Sequence, residues 1–120
     1  MMLIIAYLAA SLFAVADEAP GATIAEVCTA DHARLCSENS IQSDGAMRCL
    51  MDRRQDVSLP CRGALNARRQ WVQTRVRNAC TNEIAAFCAR EHDDPPIRCL
   101  RQNESRLSHA CETTLPHWMS

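Results

Sequence analysis

The sequence predicts an all-α fold: disulfide-stapled tandem helical hairpins in one small domain, with a long helix joining two repeats. Three observations lead there. Eight cysteines fall into two sets of four with nearly the same spacing, at 28, 36, 49 and 61 and again at 80, 88, 99 and 111. From Ile24 onward the apolar residues recur at helical rather than alternating spacing. The stretch from Cys61 to Arg90 holds no proline and only Gly63 as a helix breaker.

The chain opens with Leu3 to Val15, an almost wholly apolar, uncharged run ending in Ala14-Val15-Ala16. A bilayer span needs about 20 apolar residues, and this run is shorter. The small-x-small ending is what a signal peptidase reads, so residues 1–16 are expected to be a signal peptide cleaved after Ala16. The alternative is retention as a membrane anchor. Residues 17–22 read as a short linker, 23–116 as two cysteine-rich helical repeats (about 23–65 and 75–116) in one domain, and 117–120 as a tail.

The first cysteine set is C-x7-C-x12-C-x11-C and the second C-x7-C-x10-C-x11-C. Neighbouring positions agree too. Asp31 matches Glu83, Leu35 matches Phe87, Met47-Arg48-Cys49-Leu50 matches Ile97-Arg98-Cys99-Leu100, and Val57-Ser58 matches Leu107-Ser108. A period near 50 residues marks a repeated supersecondary unit.

Each unit reads as helical. Thr23-x-x-Glu26 is a capping box, in which hydroxyl and carboxylate satisfy free amides at a helix start. Ile24, Val27, Cys28, Asp31 and Leu35 follow at helical intervals. After the polar loop 39–45, Asp44 is expected to cap a second helix. Asp94 before Pro95 should do the same in the second repeat, because proline suits a first helical turn. Ser58 with Leu59-Pro60 starts a third helix, whose stripe runs through Leu65, Val72, Val76, Cys80, Ile84 and Phe87. The second repeat has Arg75 and Asn78 where the first has Thr23 and Glu26. With that capping box missing, the chain should run helically from one repeat into the next, with a bend allowed.

Helix geometry limits the cystine pairings. Cys28 and Cys36 stand eight residues apart, about 12 Å along a helix, whereas a disulfide needs α-carbons within about 7 Å. The same argument excludes Cys80 with Cys88. Nested pairs are preferred, Cys28–Cys61 with Cys36–Cys49 and Cys80–Cys111 with Cys88–Cys99, because Cys36 and Cys49 both flank the hairpin loop. Crossed pairs within each repeat stay open.

These residues resemble the cysteine-rich repeat of the Golgi apparatus protein family, also called the cysteine-rich fibroblast growth factor receptor or E-selectin ligand family. The elements are Cys28, Asp31, Leu35, Cys36, Cys49-Leu50, Ser58 and Cys61. In the second copy they are Cys80, Glu83, Phe87, Cys88, Cys99-Leu100, Ser108 and Cys111. The likeness covers about 28–65 and 80–115. It implies an extracytoplasmic, non-enzymatic binding module. Large animal members carry many repeats and an anchor; this chain has two repeats and no second apolar run. Short two-repeat members look bacterial, which implies a periplasmic or secreted protein of the bacterial envelope. A ligand does not transfer with a fold.

Other chemistries fit the sequence poorly. With 13 basic and 14 acidic residues the net charge is −1, which is not a nucleic-acid footprint. The cysteines lack the C-x2–4-C spacing of structural zinc and the C-x-x-C of redox exchange. An even count in an exported chain reads as cystines. The alternative function is a periplasmic metal- or redox-handling protein using Cys and His. His92-Asp93-Asp94 could ligate a cation, but reads first as a solvated loop. His117 and Met119 are soft ligands at what reads as a frayed end. No catalytic grouping can be assembled, so the expectation is no enzyme, no cofactor and no metal. Asn103-Glu104-Ser105 is a glycosylation sequon.

The middle of the chain is basic, with Trp71 among arginines. Arg54, Arg68, Arg69, Trp71 and Arg75 form the candidate surface for a protein or glycan partner, since Arg and Trp are enriched at binding hot spots. The alternative is a solvated helix face with Trp71 filling the groove between repeats. If all eight cysteines are cystines, the exported protein takes up no alkylating reagent until it is reduced and denatured, and then takes up eight equivalents. Intact-mass measurement decides, and eight thiols alkylated without reductant would overturn the cystine reading.

Overall fold

The computed structural model describes residues 23–119. The leader expected over 1–16, the linker over 17–22 and Ser120 lie outside the described residues. Within 23–119 the helices are α1 (Ile24–Val27), α2 (Thr29–Leu35), α3 (Asp44–Asp52), α4 (Leu59–Ala79), α5 (Thr81–Phe87), α6 (Ile97–Gln102) and α7 (His109–Glu112), with a 3-10 turn at Glu104–Arg106. No strand occurs among the described residues. The chain is all-α, and four disulfides staple the helices.

The capping box at the start of α1 is complete. Thr23 Oγ1 accepts from the Glu26 amide at 3.2 Å, and Glu26 Oε2 accepts from the Thr23 amide at 3.1 Å. The helix then breaks at Cys28 (φ −107°, ψ 5°), and α2 resumes at Thr29. The same break recurs at Cys80 (φ −109°, ψ 17°), between α4 and α5. The long joining helix is therefore Leu59–Ala79, and the helical run to Arg90 continues only through a bend and ends at Phe87. Both bends fall on a fully buried cysteine that is bonded across the hairpin, to Cys61 or Cys111. The bend turns the next helix toward its hairpin partner, so that Cys36 meets Cys49 and Cys88 meets Cys99. The observed bonds are thus the nested set. Their α-carbon separations match between halves, at 4.8 Å for Cys28–Cys61 and Cys80–Cys111 and at 5.9 Å for Cys36–Cys49 and Cys88–Cys99.

Two expected caps differ. Ser43, not Asp44, caps α3, its hydroxyl accepting from the Ala46 amide at 3.1 Å. Asp44 is the first helical residue, where its charge favours the helix N-terminus. Asp94 does not cap α6. Pro96 holds that position without a side-chain hydrogen bond, and the Asp94 carboxylate instead pairs with Arg77 at 3.0 Å. Two consecutive prolines shift the cap position two residues past Asp94, from 94 to 96.

The third cap is an interlock. Ser58 begins α4 and accepts from the Cys61 amide; Ser108 begins α7 and accepts from the Cys111 amide. Each serine is also gripped from the first helical arm of its half. Asp31 Oδ2 accepts from the Ser58 hydroxyl at 2.8 Å and from its amide at 3.1 Å. Glu83 Oε1 accepts from the Ser108 amide at 3.3 Å. Arg34 completes the first grip with an ion pair to Asp31 at 2.9 Å. Asp31 is buried, and hydrogen bonds from Ser58, then Arg34, hold its carboxyl below the usual carboxylate range against the opposing cost of burial. The Ser108 hydrogen bonds lower Glu83 in the same way.

Two apolar clusters form, and α4 feeds both. Leu65 and Cys61 join Ile24, Cys28, Leu50, Met51 and Val57. Val72 and Val76 join Cys80, Ile97, Leu100, Cys111, Leu115 and Met119. Trp118 packs against both clusters, and Met119 is buried. The Arg48 guanidinium donates to the His117 carbonyl, tying this segment back to α3. The chain end expected as a frayed tail is therefore packed through Met119, because Leu115, Trp118 and Met119 give it enough apolar surface to dock.

Trp118→Ala removes the side chain that touches both clusters. It should cost about 2 kcal/mol or more, which lowers the melting temperature by about 10 °C for a domain of this size; calorimetry checks this. The two depressed carboxyls set the acid limb. Their contribution is present above the unfolded values near 3.8 and 4.5 and is lost as pH falls through the lower folded values. The melting-temperature gap between the native protein and the Asp31→Asn, Glu83→Gln variant should therefore be widest near neutrality and close below about pH 4.

Candidate functional site

The helix α4 starts at the Ser58 cap, carries Pro60 in its first turn and runs 21 residues, about 30 Å. It holds Arg62, Arg68, Arg69, Arg75 and Arg77 and no acidic residue, in a chain of net charge −1. Leu65, Val72 and Val76 are buried and define its inner side. At 100° per residue, Arg68, Trp71 and Arg75 fall on one flank of that inner side, and Arg69, Gln73 and Arg77 on the other. The predicted partner surface is thus divided by the helix. Arg68, Trp71 and Arg75 stay together, while Arg69 faces away and groups with Arg54.

On the Arg69 flank the charges are balanced. Arg69 lines a cleft of ≈ 250 Å³ with Gln73, Asp93, Asp94, Pro95, Ile97, Arg98 and Met119. A smaller hollow joins it to Arg54, Asp52, Met51, Trp118 and Met119. Arg54 is engaged, its Nη1 donating to the Met51 carbonyl at 2.9 Å. Arg77 holds Asp94. Arg62 donates to the Arg54 and Gln55 carbonyls at 2.9 and 2.8 Å, which fixes the turn before α4. Acidic residues face the arginines here, so this flank presents little net charge to a ligand.

The Trp71 flank differs. The Arg75 guanidinium lies 4.9 Å from the Trp71 ring centroid and that of Arg68 5.7 Å, both within cation–π range. Trp71 is partly buried against the second cluster. Ala67, Gln70, Thr74, Asn78 and Ala79 complete the face, and none of the described residues lining it is acidic. A rigid indole with two guanidinium groups near its ring suits an acidic contact surface.

The other candidates separate from this face. All eight cysteines are bonded, so none serves as a thiol ligand or nucleophile. No group of three or more His, Cys, Asp or Glu suited to a metal occurs among the described residues. His92, Asp93 and Asp94 are exposed, and His117 is exposed while Met119 is buried. Asn103 of the sequon donates its Nδ2 to the Cys99 carbonyl at 2.9 Å. Among the described residues no helix is long and apolar enough to cross a membrane.

Sequence reasoning missed the part played by Trp118. Its signal was present in Leu115-Pro116-His117-Trp118-Met119, which has three large apolar residues in five, more than a solvated tail carries. Compared with family models, curated proteins and solved structures, the chain matches none.

Proposed function

We propose that this chain is an exported, non-enzymatic binding module of the cysteine-rich repeat type, and that it engages its partner through Arg68, Trp71 and Arg75 on α4. The observation that carries the reading is an indole with two guanidinium groups within cation–π distance on a helix without acidic residues. Partly desolvated Trp and Arg are the residues from which binding hot spots are built. The framework supports the compartment: four cystines in a small domain fit folding in an oxidising space such as a periplasm or the extracellular medium. The motif positions support the family reading in a second way. Asp31, Glu83, Ser58 and Ser108 are consumed in holding the hairpins shut, so the residues shared with the family build the frame. Recognition then falls to positions outside the motif, such as Trp71.

Affinity capture from an envelope extract tests this. Capture by the native protein should fall about 30-fold with Trp71→Ala, the size of a hot-spot loss, and comparably with Arg68→Glu. Arg69→Glu, on the opposite flank, should leave it unchanged. Equal capture by the native protein and Trp71→Ala would sink the proposal.

A further inference from the structure

The two outer cystines differ in their surroundings. Cys36–Cys49 and Cys88–Cys99 bridge similar sequence separations, 13 and 11 residues, so ring size does not distinguish them. Burial does. Seven of the eight cysteines are buried, and Cys49 is the one that is only partly buried. Its counterpart Cys99 is 6% exposed.

In the second half three residues link up beside the outer cystine. Asn103 Nδ2 donates to the Cys99 carbonyl at 2.9 Å and stands 3.8 Å from the Cys99 sulfur. Arg106 Nη1 donates to Asn103 Oδ1 at 3.5 Å. The Arg106 guanidinium lies 4.0 Å from the ring centroid of Phe87, the residue before Cys88. This strap runs from one half-cystine to the other. The matching positions in the first half are Arg53, Asp56 and Leu35. Asp56 and Leu35 supply neither cation nor ring for a cation–π contact, and the Arg53 side chain has no acceptor. The strap cannot form there. Arg53 instead places a fixed positive charge one helical turn on from Cys49, which favours an approaching thiolate.

We propose that Cys36–Cys49 is a thiol–disulfide exchange site, attacked at Cys49 by a dithiol reductant, while the Asn103–Arg106–Phe87 strap keeps Cys88–Cys99 structural. Exchange depends on access of the attacking thiolate to a sulfur, and exposed cystines are the labile ones. One thiolate of the dithiol bonds to the Cys49 sulfur. The Cys36–Cys49 bond breaks, and Cys36 leaves as a thiolate that takes up a proton from water. The second thiol of the reagent, deprotonated in turn, attacks its own sulfur in the mixed disulfide. It closes to a disulfide and releases Cys49, which is protonated likewise. The dithiol loses two electrons and two protons, and the cystine gains them.

The frame survives this step. Cys28–Cys61 is fully buried, and Asp31 still grips Ser58. What opens is the tip of the first hairpin, between Cys36 and Cys49. The site is independent of the contact surface on α4.

The test treats the native, oxidised protein with dithiothreitol and quenches samples over time into denaturant with iodoacetamide. A species with two labels should accumulate first, with both labels on Cys36 and Cys49 by peptide mapping. Those labels should appear about tenfold or more faster than labels on Cys88 and Cys99. Amide exchange in the two-thiol protein should rise between residues 36 and 49 and stay slow in α4. Breaking the strap with Asn103→Arg and Arg106→Asp should bring the Cys88–Cys99 rate up toward that of Cys36–Cys49. Cys80 and Cys111 should stay unlabelled in that variant, which a misfolded chain cannot give. Labelling of Cys88 and Cys99 first or equally fast in the native protein overturns the proposal. So does direct passage from no labels to eight, faster exchange throughout α4, or a strap variant that reduces as the native protein does.

Discussion

The Cys28–Cys61 and Cys80–Cys111 cystines are the constraint on which the rest of the structure depends. All four of these cysteines are fully buried, each pair near the centre of its own apolar cluster. They close segments of 33 and 31 residues, and by chain entropy each contributes about 3–4 kcal/mol. A domain with so few aromatics and two small clusters has little else of that size. The bonds also shape the backbone. Each bend, between α1 and α2 and between α4 and α5, sits on one of these half-cystines, and it aims the following helix so that the outer cystine can close.

Beside each buried cystine a short chain of hydrogen bonds joins the two arms of the hairpin. The serine three residues before Cys61 or Cys111 caps the helix that carries that cysteine, and an acid three residues after Cys28 or Cys80 holds the serine. Cystine, cap and carboxylate therefore close one ring of interactions. The first half has the tighter form, with Asp31 buried and backed by Arg34. In the second half a longer Glu83 reaches Ser108 from a more exposed position.

The helix α4 does two jobs because its faces are chemically distinct. Its inner residues supply Leu65 to one cluster and Val72 and Val76 to the other, and Trp118 closes the seam from the opposite end of the chain. The helix itself has no acid to neutralise its five arginines. Three are drawn into the frame or its clefts: Arg62 on the preceding turn, Arg77 on Asp94 and Arg69 beside the acids of its cleft. Arg68 and Arg75 lie within cation–π distance of Trp71 on the other flank.

Local physics wrote most of the fold into the sequence. The capping box at Thr23, the Ser58 start of α4 and the periodicity of Leu65, Val72 and Val76 involve residues within a turn or two of one another, so spacing alone revealed them. Helix length also ruled out Cys28 with Cys36 and Cys80 with Cys88, because rise per residue is a local quantity. Tertiary structure decided what depends on partners far along the chain. It selected the nested bonds over the crossed ones and bent the helical run at Cys80. It placed Trp118 between the clusters, and it split Arg69 from Trp71 by putting the buried stripe of α4 between them. Sequence supplies the list of charged and aromatic residues, but the direction in which each points follows from which side of the helix is buried, and that is settled only when the two halves pack.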